Sequence, residues 1–138
     1  MHTSFTIETQ GAGLYEVTPV VARWVAAQAL HEAALTLFVR HTSCSLTIQE
    51  NADPEVQTDL AAFFHRLVPP GSDPSMSWLT HTYEGPDDMP GHIKAALLPT
   101  SIAIPTLRGQ MTLGTWQGIY LFEHRDRPHR REVVAMLR

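Results

Sequence analysis

Residues 34–49 read ALTLFVRHTSCSLTIQ, and the order of apolar and polar side chains in this stretch decides the predicted fold. In its first half the apolar side chains fall on odd positions, and in its second half they fall on even positions. The two sets are Leu35, Leu37 and Val39, followed by Cys44, Leu46 and Ile48. Because successive side chains of a strand point to opposite faces of the sheet, one regular strand cannot bury both sets. The facing must therefore change between about Arg40 and Ser43.

Three residues, His41, Thr42 and Ser43, lie where this change must occur. A β-bulge would produce it, and so would a corner at which the strand crosses from one sheet to another. An ordinary loop between two separate strands is an equally good explanation. Bulges often redirect side chains beside active sites, so this segment is also a candidate functional region.

The remainder of the chain is predicted to form short strands and three helices. Branched or aromatic side chains between Gly and Pro residues predict strands at 4–9, 14–17, 101–104, 110–113, 118–123 and 132–137. Thr18 with Pro19 and Asp53 with Pro54 are expected to begin the first two helices, and a third helix is expected over about 90–98. The pattern indicates a mostly β structure of two layers in the α+β class.

The composition indicates a single globular domain over residues 1–138. Apolar residues make up 43% of the chain and charged residues 17%, which is unlike a disordered chain. The formal charge of −4 provides no overall positive field that would favour nucleic acid or an anionic membrane surface. There is no pattern of a secretory signal or of a membrane span, so we expect a cytoplasmic protein. The single cysteine, Cys44, is expected to be a packed core residue rather than a nucleophile.

Eight histidines in 138 residues are a high number, and several of them lie beside acidic residues. His81 and His92 flank a Gly-Pro turn that could bring both rings to one point, with Asp87 and Asp88 nearby as ligands or as groups that orient the rings. A catalytic zinc site needs about three protein ligands and an open position. The chain has no HExxH or paired CxxC motif, so structural histidines with satisfied hydrogen bonds are the alternative.

Two carboxylates and the arginines that follow them are further candidates for chemistry. Asp88 could serve in catalysis or could simply cap the third helix. Glu123 ends an apolar strand, where a charge is costly if buried, so it should lie at a rim, pair with an arginine or bind a metal. Arg125 begins an arginine-rich segment suited to phosphate or diphosphate, and a salt-bridged surface hairpin explains that segment equally well.

Three segments together carry a resemblance to a known family. They are HTSCSLTIQENADP at 41–54, EGPDDMPGHIK at 84–94 and LGTWQGIY at 113–120, and the match continues into EHR at 123–125. In these segments the chain resembles the YjbQ family over nearly its whole length. The resemblance implies an antiparallel β-sandwich similar to a jelly roll, with flanking helices, assembled as a homotrimer. It also implies a cleft that contains His41, His81 and His92 and a divalent metal, zinc or magnesium.

The activity that the resemblance implies is a weak thiamine phosphate synthase. This transferase joins hydroxymethylpyrimidine diphosphate to a thiazole phosphate and releases diphosphate, so a phosphorylated small molecule is the expected partner. Asp88 and Glu123 are then the candidate catalytic residues, and the candidate phosphate-binding residues are Ser43, Lys94 and Arg125. The alternative is a non-catalytic trimer that binds a divalent metal or a phosphorylated metabolite.

Overall fold

The computed structural model describes residues 1–138 and contains eight strands and three α-helices. The strands are β1 His2–Thr9, β2 Gly13–Glu16, β3 Glu32–Val39, β4 Cys44–Glu50, β5 Ser101–Leu107, β6 Gln110–Met111, β7 Gln117–Glu123 and β8 His129–Leu137. The helices are α1 Thr18–Ala27, α2 Pro54–Leu67 and α3 Asp88–Leu97, with one short 3₁₀ turn at Pro74–Met76. The predicted class, α+β and mostly β with three helices, is confirmed.

Two antiparallel sheets enclose the core. The larger has the strand order β1-β8-β3-β5-β6, and the smaller has the order β2-β7-β4. Buried side chains from both sheets pack into one hydrophobic cluster, among them Leu35, Leu37, Leu46 and Leu121. The inner faces of the two sheets therefore face each other.

The predicted change of facing at residues 40–43 is confirmed, and a passage between sheets produces it. β3 belongs to the larger sheet and β4 to the smaller one, and the four residues between them make the connection. Val39 and Cys44, on either side of the connection, are both buried in the common core. Burial alternates along β3, whereas Cys44, Ser45 and Leu46 of β4 are all buried, and the change of facing falls in the connection rather than in a bulge within a strand.

β7 is the central strand of the smaller sheet, and its residues 118–123 are buried on both faces. Ile119 and Leu121 belong to the hydrophobic core, while the ring of Phe122 meets Phe64 of α2 with centroids 5.4 Å apart. The Tyr120 hydroxyl accepts a hydrogen bond from Gln57 of α2 at 3.0 Å. Helix α2 therefore covers the outer face of this strand, which explains its unbroken apolar sequence.

The helix starts differ in part from the sequence-based expectation. The Asp53 side chain caps α2 as predicted, accepting the Glu55 amide at 2.9 Å. The prediction that Thr18 caps α1 is wrong, because Thr18 is already helical and its hydroxyl accepts the Ile119 amide of β7 at 2.8 Å. Helix α3 begins at Asp88, two residues before the predicted start.

The helices are too short or too polar to cross a membrane.

Candidate metal centre

Four side chains converge where α3 begins: His81, Glu84, Asp88 and His92. Their potential ligand atoms all lie within 4.8 Å of one another. His81 Nε2 is 3.1 Å from Asp88 Oδ2 and 3.2 Å from Glu84 Oε2. His92 Nε2 is 3.4 Å from the same Asp88 oxygen. We call these four residues the acidic-histidine cluster.

Helix geometry and one tight turn assemble this cluster. Asp88 and His92 are four residues apart in α3 and therefore lie on one face of the helix. His81 and Glu84 arrive from the preceding loop. Gly85 in this loop has a φ of +101°, a backbone conformation that residues other than glycine rarely adopt. The Gly-Pro turn noted in the sequence therefore does bring His81 and His92 together.

Asp88 is the buried centre of the cluster, with only 3% of its surface exposed. Its Oδ2 faces the two histidines, and its Oδ1 accepts a hydrogen bond from Arg125 Nη1 at 2.8 Å. Arg125 also donates from Nε to Asp87 at 2.9 Å, and this bond raises the pKa of the guanidinium. Arg125 therefore holds Asp88 in position. The predicted contact of Arg125 with phosphate stays a prediction.

The donor set fits a first-row divalent cation. Two imidazoles and two carboxylates are ligands that zinc accepts, whereas magnesium prefers oxygen ligands and water. Two tetrahedral zinc ligands with bonds of 2.0–2.1 Å lie about 3.3 Å apart. Three histidine–carboxylate pairs are 3.1–3.4 Å apart, two of them as hydrogen bonds, and the whole set of ligand atoms lies within 4.8 Å, so the side chains must draw closer to bind one ion. The side chains of His81 and His92 are 35% and 34% exposed, so the cluster is open to solvent.

The expectation that His41 joins His81 and His92 is wrong within this chain, because His41 is not a member of the cluster. Its Nε2 accepts the backbone amide of Glu132 in β8 at 2.8 Å. Burial, followed by the charge of Arg131, lowers the pKa of this imidazole. One ring nitrogen of His41 thus binds the backbone of β8 beside the connection between the two sheets.

Glu123 and Ser43 belong to a separate, buried network centred on Arg131. Arg131 donates from Nε and Nη2 to the two oxygens of Glu123, both at 2.6 Å, and from Nη2 to Ser43 Oγ at 2.9 Å. Pairing with an arginine was one of the three outcomes expected for a buried Glu123. Neither Glu123 nor Ser43 lies in the acidic-histidine cluster, and their catalytic and phosphate-binding roles stay predictions.

Two participants in these networks were missed from the sequence, Glu84 and Arg131. Glu84 opens the segment EGPDDMPGHIK and lies three residues after His81. Arg131 shares the alternation of Val133 and Ala135, which face the core, so it must also point inwards. That alternation was available as a signal, but the strand was expected to begin only at residue 132.

A cavity of about 240 Å³ lies on the opposite side of α3 from the cluster. Lys94, the only lysine in the chain, lines it together with Phe64, Phe122 and His124. Lys94 forms no hydrogen bond or ion pair, and burial lowers the pKa of its amine. The helix thus separates Lys94 from His92, although the two are only two residues apart in sequence.

His124, which lines this cavity, and Cys44, which belongs to the hydrophobic core, are both buried. Burial, followed by the charges of Lys94 and Arg131, lowers the pKa of His124 to about 3. His124 Nε2 lies 2.9 Å from Ser45 Oγ, while Nδ1 has no partner. Burial raises the pKa of the Cys44 thiol to about 12, which agrees with packing rather than reactivity.

The fold and the cluster together define a small mostly β protein with a candidate metal centre at the start of a helix. The family described as UPF0047 protein YjbQ-like matches residues 3–138, and the chain belongs to this family. Among curated proteins, a UPF0047 protein of Synechocystis is 50% identical over 129 residues, covering 94% of this chain and 85% of that protein. The protein YjbQ of Escherichia coli O157:H7 is 39% identical over 135 residues, which cover 97% of this chain and 94% of that protein.

Solved structures share the fold over their whole length. A YjbQ/UPF0047 protein from Clostridium acetobutylicum superimposes with a TM-score of 0.86 at 30% identity, covering 99% of both chains. A hypothetical protein from Aeropyrum pernix K1 gives a TM-score of 0.88 at 27% identity, covering 100% of this chain and 98% of that one.

Proposed function

We propose that this protein holds a divalent metal ion in the acidic-histidine cluster and acts on a small phosphorylated molecule beside it. The observation that carries the proposal is the convergence of four ligand atoms within 4.8 Å. An ion bound there would act as a Lewis acid towards phosphate oxygens. Zinc or another first-row cation suits the two imidazoles better than magnesium does.

The chain's own residues supply positioning around this centre. Arg125 holds Asp88 by one oxygen and leaves the other facing the histidines. Tyr83 stacks edge-on against His81 with ring centroids 4.7 Å apart and restricts the rotation of that ring. A groove of about 340 Å³, lined by His81, Leu79 and Met89, lies next to the cluster and provides space for a small substrate.

For the reaction, we propose the weak thiamine phosphate synthase activity implied by the family resemblance. Departure of diphosphate requires stabilisation of negative charge, and a cationic centre beside a groove is suited to that task. A non-catalytic trimer that binds a metal or a phosphorylated metabolite is the second candidate. It is favoured by the engagement of Arg125, Ser43 and Glu123 in internal bonds, which leaves fewer groups free for catalysis.

To test the metal site, metal-free protein is titrated with Co²⁺ and Zn²⁺. Binding is monitored by calorimetry and, for cobalt, by the visible spectrum of the bound ion. We expect one ion per chain, and we expect His92→Ala to weaken its binding by tenfold or more. His31→Ala is the matched control, because His31 is exposed, lies near the end of α1 and is not a member of the cluster. Equal affinity in the His92 and His31 variants would contradict the metal site.

The same variants decide between the two functions in an assay with hydroxymethylpyrimidine diphosphate and thiazole phosphate. If the protein is the transferase, His92→Ala and His81→Ala lose thiamine phosphate formation while His31→Ala retains it. Metal binding without turnover in the wild type would favour the binding function. If turnover survives both cluster substitutions, the acidic-histidine cluster does not take part in the reaction.

A further inference from the structure

The cavity on the far side of α3 has a mixed lining of apolar and charged residues, and two of its polar groups, in Lys94 and His124, have no hydrogen-bond or ion-pair partner. Lys94 is partly buried and forms no ion pair, although an unpaired ammonium is costly to remove from water. His124 is only 2% exposed, and its Nδ1 is the one buried side-chain polar atom in the chain without a hydrogen-bond partner. Buried polar groups are normally satisfied, so the free Nδ1 of His124 indicates a missing partner. Lys94 adds an unpaired cation to the same lining.

We propose that this cavity binds a small molecule with an oxyanion head, phosphate or carboxylate, on a flat apolar body. The ammonium of Lys94 would pair with the head. His124 would donate from Nδ1 when its Nε2 accepts the Ser45 hydroxyl, and the anion selects this tautomer. The aromatic rings of Phe64 and Phe122, with Val68, form the apolar part of the lining.

The size of the cavity fits a ligand of this kind. Its volume is about 240 Å³, whereas a cavity of about 150 Å³ holds benzene. There is consequently room for one aromatic ring and a compact charged group.

Negative charges around the cavity do not prevent anion binding. Asp87 is paired with Arg125 at 2.9 Å, and Glu123 is paired with Arg131 at 2.6 Å. Asp126 has no ion pair, but its side chain is exposed at the rim, where water and salt screen it. His65, the remaining titratable residue of the lining, is also exposed. Lys94 is therefore the only unpaired cation of the lining, while Asp126 weakens the attraction without cancelling it.

The site does not depend on the acidic-histidine cluster, and it can be measured with the metal removed. Phenyl phosphate and benzoate are the probes, in buffer containing EDTA, with inorganic phosphate and benzyl alcohol as comparisons. Calorimetry gives the affinities. Because Lys94 is the only lysine, its acetylation by acetic anhydride, read by mass spectrometry of the tryptic peptides, reports occupancy at this one residue.

We expect one or both aromatic anions to bind and to protect Lys94, and the stronger of the two identifies the head group. Lys94→Met, which keeps an unbranched side chain and removes the charge, should weaken binding by about tenfold or more. Asp126→Asn should strengthen it several-fold. His124→Gln keeps a partner for Ser45 while removing Nδ1, and it should weaken binding without unfolding the protein.

Three results would overturn the inference. They are equal affinity in the wild type and Lys94→Met, binding of benzyl alcohol as strong as that of phenyl phosphate, and no protection of Lys94 by either aromatic anion. If inorganic phosphate binds as tightly as phenyl phosphate, the apolar lining contributes nothing to binding, and the ligand needs no apolar body. Because EDTA is present throughout, failure of the metal site leaves these outcomes unchanged, and failure here leaves cobalt binding by His81 and His92 unaffected.

Discussion

Glu123 and Arg131 form an ion pair that is almost completely removed from solvent. Glu123 is 0% exposed and Arg131 is 5% exposed, and both carboxylate oxygens are occupied by the guanidinium. Desolvation of two such charges offsets most of their attraction, so the intact pair need not be strongly stabilising. Removing only one partner is different, since it leaves the other charge buried without compensation.

We therefore expect Arg131→Met to lower the free energy of unfolding by about 3–5 kcal/mol. The double variant Arg131→Met with Glu123→Leu should recover much of that loss, because no charge then remains unpaired. Urea denaturation of the single and double variants provides the measurement. If the double variant loses as much unfolding free energy as the two single variants lose together, the pair acts through packing and not through its charges.

A second prediction at this scale concerns His124, whose pKa is about 3 in the folded chain against an ordinary value of 6.5. Below pH 6.5 the unfolded chain takes up a proton that the folded chain excludes. This contribution to stability is therefore complete above 6.5 and is lost as the pH falls towards 3, with a slope of up to about 1.4 kcal/mol per pH unit.

His124→Gln removes this titration, so the difference in unfolding free energy between wild type and variant should shrink as the pH falls from 7 to 4. Denaturation curves at four or five pH values would measure it. Other groups, including His41, titrate in both proteins and cancel in the difference. A gap that stays constant over this range would mean that His124 is not held neutral by the fold.

At the scale of elements, α3 is the part of the fold on which both proposed sites depend. One face carries Asp88 and His92, and the other carries Lys94 towards the cavity, which Asp87, just before the helix, also lines. Arg125, from the segment after β7, bonds to both Asp87 and Asp88 and joins the two faces at the start of the helix. A change in this first turn is consequently felt on both sides of α3.

The elements also show how far the sequence could lead. Local patterns predicted the strands, the Asp53 cap and the convergence of His81 with His92, because a turn and a helix spacing are encoded within a few residues. His41 lies outside the cluster of a single chain because its position depends on β8, about ninety positions away. Arg131 was missed for a related reason, since polar residues at a strand end look like a loop until the strand is seen to pair.

For the whole molecule, α2 is the helix that a single chain leaves least covered. None of its fourteen residues is buried, and Phe63 and Leu67, one turn apart, are 55% and 53% exposed. Apolar side chains adjacent on one helix face are typical of contacts between subunits. We propose that this face takes part in the homotrimer implied by the family resemblance.

The test is sedimentation velocity at micromolar concentration. We expect the wild type to sediment as a trimer and Phe63→Asp with Leu67→Asp to sediment mainly as a monomer, because a buried interface tolerates unpaired charges poorly. Phe38→Asp is the matched control, since Phe38 is a comparably exposed aromatic residue at 45% but lies on a strand of the larger sheet. Dissociation by the Phe38 variant alone would place the interface on that sheet instead. A wild type that sediments as a monomer would contradict the trimer itself and would require α2 to remain exposed in solution.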